Sequence, residues 1–61
     1  MADKYEFSKG EMVRIKAGVF RAFTGRIAEI QKEKGRLKVL VEVFGKLQPV
    51  ELNFLEVEKV I

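Results

Sequence analysis

From Arg36 to Phe44 every second residue is a branched aliphatic one. Leu37, Val39, Val41 and Val43 occupy one phase of a two-residue period, and Lys38, Leu40, Glu42 and Phe44 occupy the other. Side chains alternate between the two faces of a strand, so the first set points to one side and is expected to face a core. A helix would scatter those four residues around its circumference. The rest of the chain must supply partners for this strand, and little chain is available to do it. Sixty-one residues make one domain with a modest core. Domains of this size often add a disulfide or a metal. This chain has neither Cys nor His, so both staples are missing in their usual form. Packed aliphatic and aromatic side chains must hold it together. The lack of Cys suits a reducing compartment.

Five glycines, Gly10, Gly18, Gly25, Gly35 and Gly45, recur every seven to ten residues. Short strands with turn signals at this interval indicate a small barrel or sandwich. Val, Ile, Phe and Thr between the glycines suit a pleated, half-buried surface. The spacing predicts five strands: Met12–Lys16, Arg26–Ile30, Arg36–Phe44, Gln48–Leu52 and Leu55–Val60. Val13 and Ile15 point inward on the first. Ile27 and Ile30 are three apart, which breaks strict alternation, so a bulge is expected near Ala28. The polar stretch from Gln31 to Gly35 reads as a hairpin loop, Gly45-Lys46 as a tight turn, and Asn53-Phe54 as a further turn. Pro49 belongs at a strand start or an edge. Residues 1–6 are expected to form a disordered tail or linker remnant, and 7–61 the domain.

Twelve basic residues against nine acidic ones leave a formal charge of +3, with the signs interleaved along most of the chain. Nucleic-acid binders usually show denser basic clustering. Without His or Cys the usual neutral-pH general base and the thiol nucleophile are absent. Ser8 has no visible base partner. The carboxylates alternate with Lys and Arg, which reads as solvated strand faces and not as a catalytic pair or a metal site. No phosphate-cradling glycine loop occurs. No enzyme, no cofactor and no metal are therefore expected. No apolar run approaches a membrane span, and the N-terminus lacks a secretory signature. The expectation is a cytoplasmic, monomeric module that does not engage membranes.

The aromatic residues resist a purely structural explanation. Phe44 falls on the outward phase at the end of its strand, and Leu40 shares that phase. Phe20 and Phe23 lie in the Gly18–Gly25 connection. An exposed apolar patch built from them would mark a partner site.

Val13-Arg14-Ile15-Lys16-Ala17-Gly18-Val19-Phe20, followed by Phe23-Thr24-Gly25-Arg26-Ile27, resembles a KOW motif. Phe7 to Arg14, Arg36 to Val39, Val43-Phe44-Gly45-Lys46, Pro49-Val50-Glu51-Leu52 and Val57 to Val60 together resemble the C-terminal domain of bacterial NusG-type factors, over about residues 7 to 60. The resemblance implies an all-β, five-stranded antiparallel SH3-like barrel. It also implies a docking module that binds NusE, a small-subunit ribosomal protein, in transcription–translation coupling and antitermination, and that binds termination factor Rho. RNA polymerase would be reached through an N-terminal domain absent from this chain. The family's partner surface carries over to Phe20, Phe23, Val43, Phe44 and Lys46. Of these, Phe20, Phe23 and Phe44 also stand out from the residues themselves, whereas alternation places Val43 inward. Lys46 stands where the family usually has Arg and so lacks the planar, bidentate fork. Leu47-Gln48 replaces a smaller, more polar pair, and Val19 stands where Pro is common.

A second reading is direct RNA or DNA binding, as in ribosomal KOW domains, with Arg14, Lys16, Arg21 and Arg26, joined by Lys46, as candidate contacts. Such binding would fall steeply with salt. The modest net charge makes it a weak or secondary activity. One specialised relative refolds this domain into a helical hairpin, but the Leu37–Val43 alternation here favours a permanent barrel.

Overall fold

The computed structural model describes residues 6–60. Most of the expected N-terminal tail, residues 1–5, and the final residue 61 lie outside the described residues. Glu6 is exposed.

Five strands form one antiparallel sheet that curls into a small SH3-like barrel: β1 (Met12–Ile15), β2 (Thr24–Gln31), β3 (Arg36–Val43), β4 (Lys46–Asn53) and β5 (Val57–Lys59). Their lateral order is β4-β3-β2-β1-β5. β2 and β4 are longer than the alternation alone indicated, because turn residues at their ends join the ladder. β5 is shorter, because Phe54–Glu56 form a 3₁₀ turn ahead of it. A second 3₁₀ turn, Lys32–Lys34, makes the β2–β3 connection.

β3 is the central support. It pairs with β2 on one side and with all of β4 on the other, in a register that places Val39 opposite Val50 and Leu37 opposite Leu52. Leu37, Val39 and Val41 are fully buried, as the two-residue period requires. They meet Val13 and Ile15 of β1, Ile27 of β2, Leu52 of β4 and Val57 of β5. The register of β2 against β3 shifts between Ile27 and Glu29, which makes Ala28 the bulged residue. The extra residue lets Ile27 lie in the core and Ile30 pack against it despite their odd spacing. The bend also curls the sheet.

Gly25 is buried in β2, opposite Val41 of β3. A Cβ there would strike the Leu40 carbonyl oxygen and lie 2.7 Å from Val39 Cγ1. No other residue fits without moving backbone. Pro49 sits in β4, an edge strand, where a missing N–H costs no internal ladder.

Phe7 closes one end of the barrel. It is buried, and its ring lies 5.4 Å from Phe54 at a tilted angle. The Lys59 ammonium lies 5.4 Å from the Phe7 ring centroid and 3.2 Å from a Glu11 carboxylate oxygen. Asn53 caps the second 3₁₀ turn: its Oδ1 accepts from the Leu55 N–H at 3.0 Å, while Glu56 Oε1 accepts from the Asn53 N–H at 2.9 Å. This reciprocal pair satisfies two donors where the chain leaves β4.

Candidate functional surface

The β3–β4 connection uses two residues, Phe44 and Gly45, between the closing pair Val43 and Lys46. Both have positive φ, 52° and 76°. Two-residue hairpins with a left-handed residue at each position follow the strand twist, and Asn-Gly is the usual occupant. Gly45 meets this demand without strain. Phe44 does not, since a bulky side chain is an outlier there. The turn is therefore one residue earlier than the expected Gly45-Lys46, and Lys46 opens β4. Phe44 also leaves the strand pleat altogether and is 100% exposed.

Val43 keeps the inward phase of β3 but sits at its end, half-buried against the core. Lys46 is exposed beside the turn.

The second wall of the surface is the β1–β2 loop. It is fastened to β1 by the Ala22 N–H, which donates to the Ile15 carbonyl at 2.8 Å, and by the Ile15 N–H, which donates to the Phe23 carbonyl at 2.8 Å. Ala22 has a φ of 74°. The loop holds Phe20 and Phe23 edge to face, with ring centroids 5.8 Å apart and an interplanar angle of 88°. Phe20 packs against the core, and Phe23 is 42% exposed. The antiparallel register of β2 and β3 places this loop at the same end of the barrel as Phe44.

The candidate nucleic-acid residues are not equivalent. Arg14 is tied to Glu58, with its Nε 2.8 Å from Oε2. Arg26 donates through Nη1 to the Gly10 carbonyl at 3.1 Å. Lys16 and Arg21 are exposed, and neither forms an ion pair among the described residues. The four do not converge on one uncommitted basic stripe.

Leu47, which in the sequence stands out only as a departure from the family pattern, is 66% exposed. A groove of about 670 Å³ runs past it, with Met12, Phe23 and Leu40 among its walls. Their convergence depends on lateral register across four strands, which single-strand alternation does not reveal. Among the described residues, no side chains cluster as a metal site and no buried polar side chain is present. No helix there is long and apolar enough to cross a membrane.

The fold and the projecting turn define a KOW-type SH3-like barrel that displays an apolar contact surface. No family model matches the chain. It is 54% identical over 54 residues to the transcription termination/antitermination protein NusG of Pasteurella multocida, an alignment covering 88% of this chain and 30% of that protein. It is 48% identical over 56 residues to NusG of Borreliella burgdorferi and 53% identical over 53 residues to NusG of Escherichia coli K12. These cover 92% and 87% of this chain and 30% and 29% of the relatives. A solved structure described as a domain interaction in Thermotoga maritima NusG superimposes with a TM-score of 0.85 at 47% identity. It covers 90% of this chain and 31% of that one. The chain belongs to the NusG family and corresponds to its C-terminal domain. It spans about 30% of the length of the curated relatives it matches.

Proposed function

We propose that this domain is a non-enzymatic docking module of a cytoplasmic NusG-type transcription factor. Its partner is NusE, which it engages to couple transcription with translation or in antitermination; termination factor Rho is an alternative partner for the same surface. RNA polymerase is contacted by a domain outside this chain. The observation that carries the reading is Phe44: fully exposed, held in a left-handed conformation on a two-residue turn, and flanked by the Lys46 cation. A large apolar side chain kept in water at a conformational cost has no role in the barrel's own stability. Seated in a partner's pocket it becomes an anchor, with Phe23 and Val43 as surrounding apolar contacts and Lys46 as a rim charge. The names of the relatives support a role in transcription. Direct nucleic-acid contact is the lesser reading, since the Arg14–Glu58 pair already neutralises one of its cations.

Calorimetric titration of the domain with NusE, and separately with Rho, tests the reading. Phe44→Ala should weaken binding to the true partner at least about tenfold, the loss of one buried aromatic anchor. Unchanged affinity for both partners would overturn it.

A further inference from the structure

The strand order leaves β4 and β5 at the two margins of the sheet. β5 has three residues and offers little edge, whereas β4 has eight. A strand edge of that length is a template for another strand, and a second copy of the same edge is its natural complement. The register shows which backbone groups point outward. Val43 and Lys46 close a two-residue hairpin and therefore form a hydrogen-bonded pair. By alternation Gln48, Val50 and Leu52 also bond to β3, opposite Val41, Val39 and Leu37, and the N–H and C=O of Leu47, Pro49, Glu51 and Asn53 turn away from it. Asn53 bears out this phase, because its N–H donates to Glu56 Oε1 at 2.9 Å and not to β3. We infer that Pro49 blocks this edge and stops β4 from pairing with β4 of a second copy of this chain. The inference does not depend on the docking reading.

Of the four outward residues, Leu47 and Glu51 offer an N–H, and that of Asn53 is taken by Glu56. Pro49, the chain's one proline, has none, and it falls between the two free donors. A two-fold antiparallel pairing that uses all three open rungs sets Leu47 against Glu51 of the copy and Pro49 against Pro49 of the copy. The central rung then loses both of its hydrogen bonds, and the two rings meet where strands normally approach to about 5.5 Å. Sliding the copy by two residues sets Pro49 against Leu47 or Glu51, and each such rung still lacks a donor. Nothing else guards the middle of this edge. The register of β4 on β3 is unbroken from Lys46 to Asn53, so no bulge twists the strand away. Leu47, Gln48 and Val50 carry no charge to repel a second strand. Pro49 itself is exposed and lies opposite Leu40 at a rung where β3 makes no demand on its missing N–H.

Sedimentation equilibrium of the whole chain tests it, with thermal melts alongside. Pro49→Thr and Pro49→Ala each restore an outward N–H. Both should self-associate at least about tenfold more tightly than wild type, the worth of the two bonds regained at the central rung. Their mass should rise from 7.0 kDa towards twice that value as concentration increases. The double variant Pro49→Thr/Glu51→Pro moves the proline two residues along the same outward phase and should return to the monomer. Gln48→Pro removes an N–H directed at β3 and should lower the melting temperature. An unchanged melt for Gln48→Pro would contradict the assigned phase and overturn the inference. So would folded Pro49→Thr and Pro49→Ala variants that associate no more tightly than wild type. Association that persists in the double variant would arise away from this edge and would overturn it too. Loss of the barrel in both Pro49 variants would show that the proline serves the fold and not the edge.

Discussion

Replacing Phe44 with Asn should make the domain more stable and make it fail to dock. Phe44 sits at φ 52°, the first of two left-handed positions in the turn. An ordinary L-residue pays about 1–2 kcal/mol for that conformation, and Asn tolerates it much better. The ring is 100% exposed, so its removal takes no packing from the core. The expected gain is about 1 kcal/mol. Total stability at this chain length is roughly 3–9 kcal/mol, so the change is large enough to measure. It should raise the melting temperature by about 4–8 °C. The same substitution removes an aromatic anchor worth about 1.5–3 kcal/mol when buried, which corresponds to roughly 10- to 150-fold weaker binding. Thermal unfolding followed by circular dichroism reads the first effect, and calorimetry with NusE reads the second. A lower melting temperature would refute the strain argument. Undiminished binding would show that Phe44 is not the anchor.

Gly25→Ala should destabilise by about 1–2 kcal/mol, because overpacking against the Leu40 carbonyl outweighs the entropy that Ala recovers in the unfolded chain; chemical denaturation measures it. Asn53→Ala removes half of the reciprocal cap and should cost about 0.5–2 kcal/mol in the same assay, with docking unchanged. Glu58→Gln breaks an exposed ion pair and should change stability by less than about 1 kcal/mol. Its effect on melting should fall well below that of Gly25→Ala.

The parts of the fold visible in the sequence were those governed by local period. The Leu37–Val43 alternation defined a strand and its buried face. The odd spacing of Ile27 and Ile30 required a bulge, and the register shift lies at Ala28. Turn chemistry was legible to within a residue, and it erred where a rule was broken: Phe44 occupies a position that favours Asn, so alternation carried the strand one residue too far. Leu55 to Val60 read as a continuous strand because the period does not register the side chains of Asn53 and Glu56 accepting the Leu55 and Asn53 backbone N–H groups around a 3₁₀ turn. Phe7 meeting Phe54 is a contact between distant ends of the chain, and no local pattern encodes it. The candidate surface divides in the same way. Phe20, Phe23 and Phe44 were conspicuous as aromatics beside loops. Leu47, Met12 and Glu42 gain meaning only once β1 to β4 are laid side by side.

The most direct test of the docking account is an NMR titration of the isotopically labelled domain with unlabelled NusE, following backbone amides. The account predicts shifts concentrated at Phe20, Phe23, Val43, Phe44, Lys46 and Leu47, and suppressed in Phe44→Ala. Shifts absent with both NusE and Rho, but present with RNA over Lys16, Arg21 and Arg26 and abolished by salt, would contradict it.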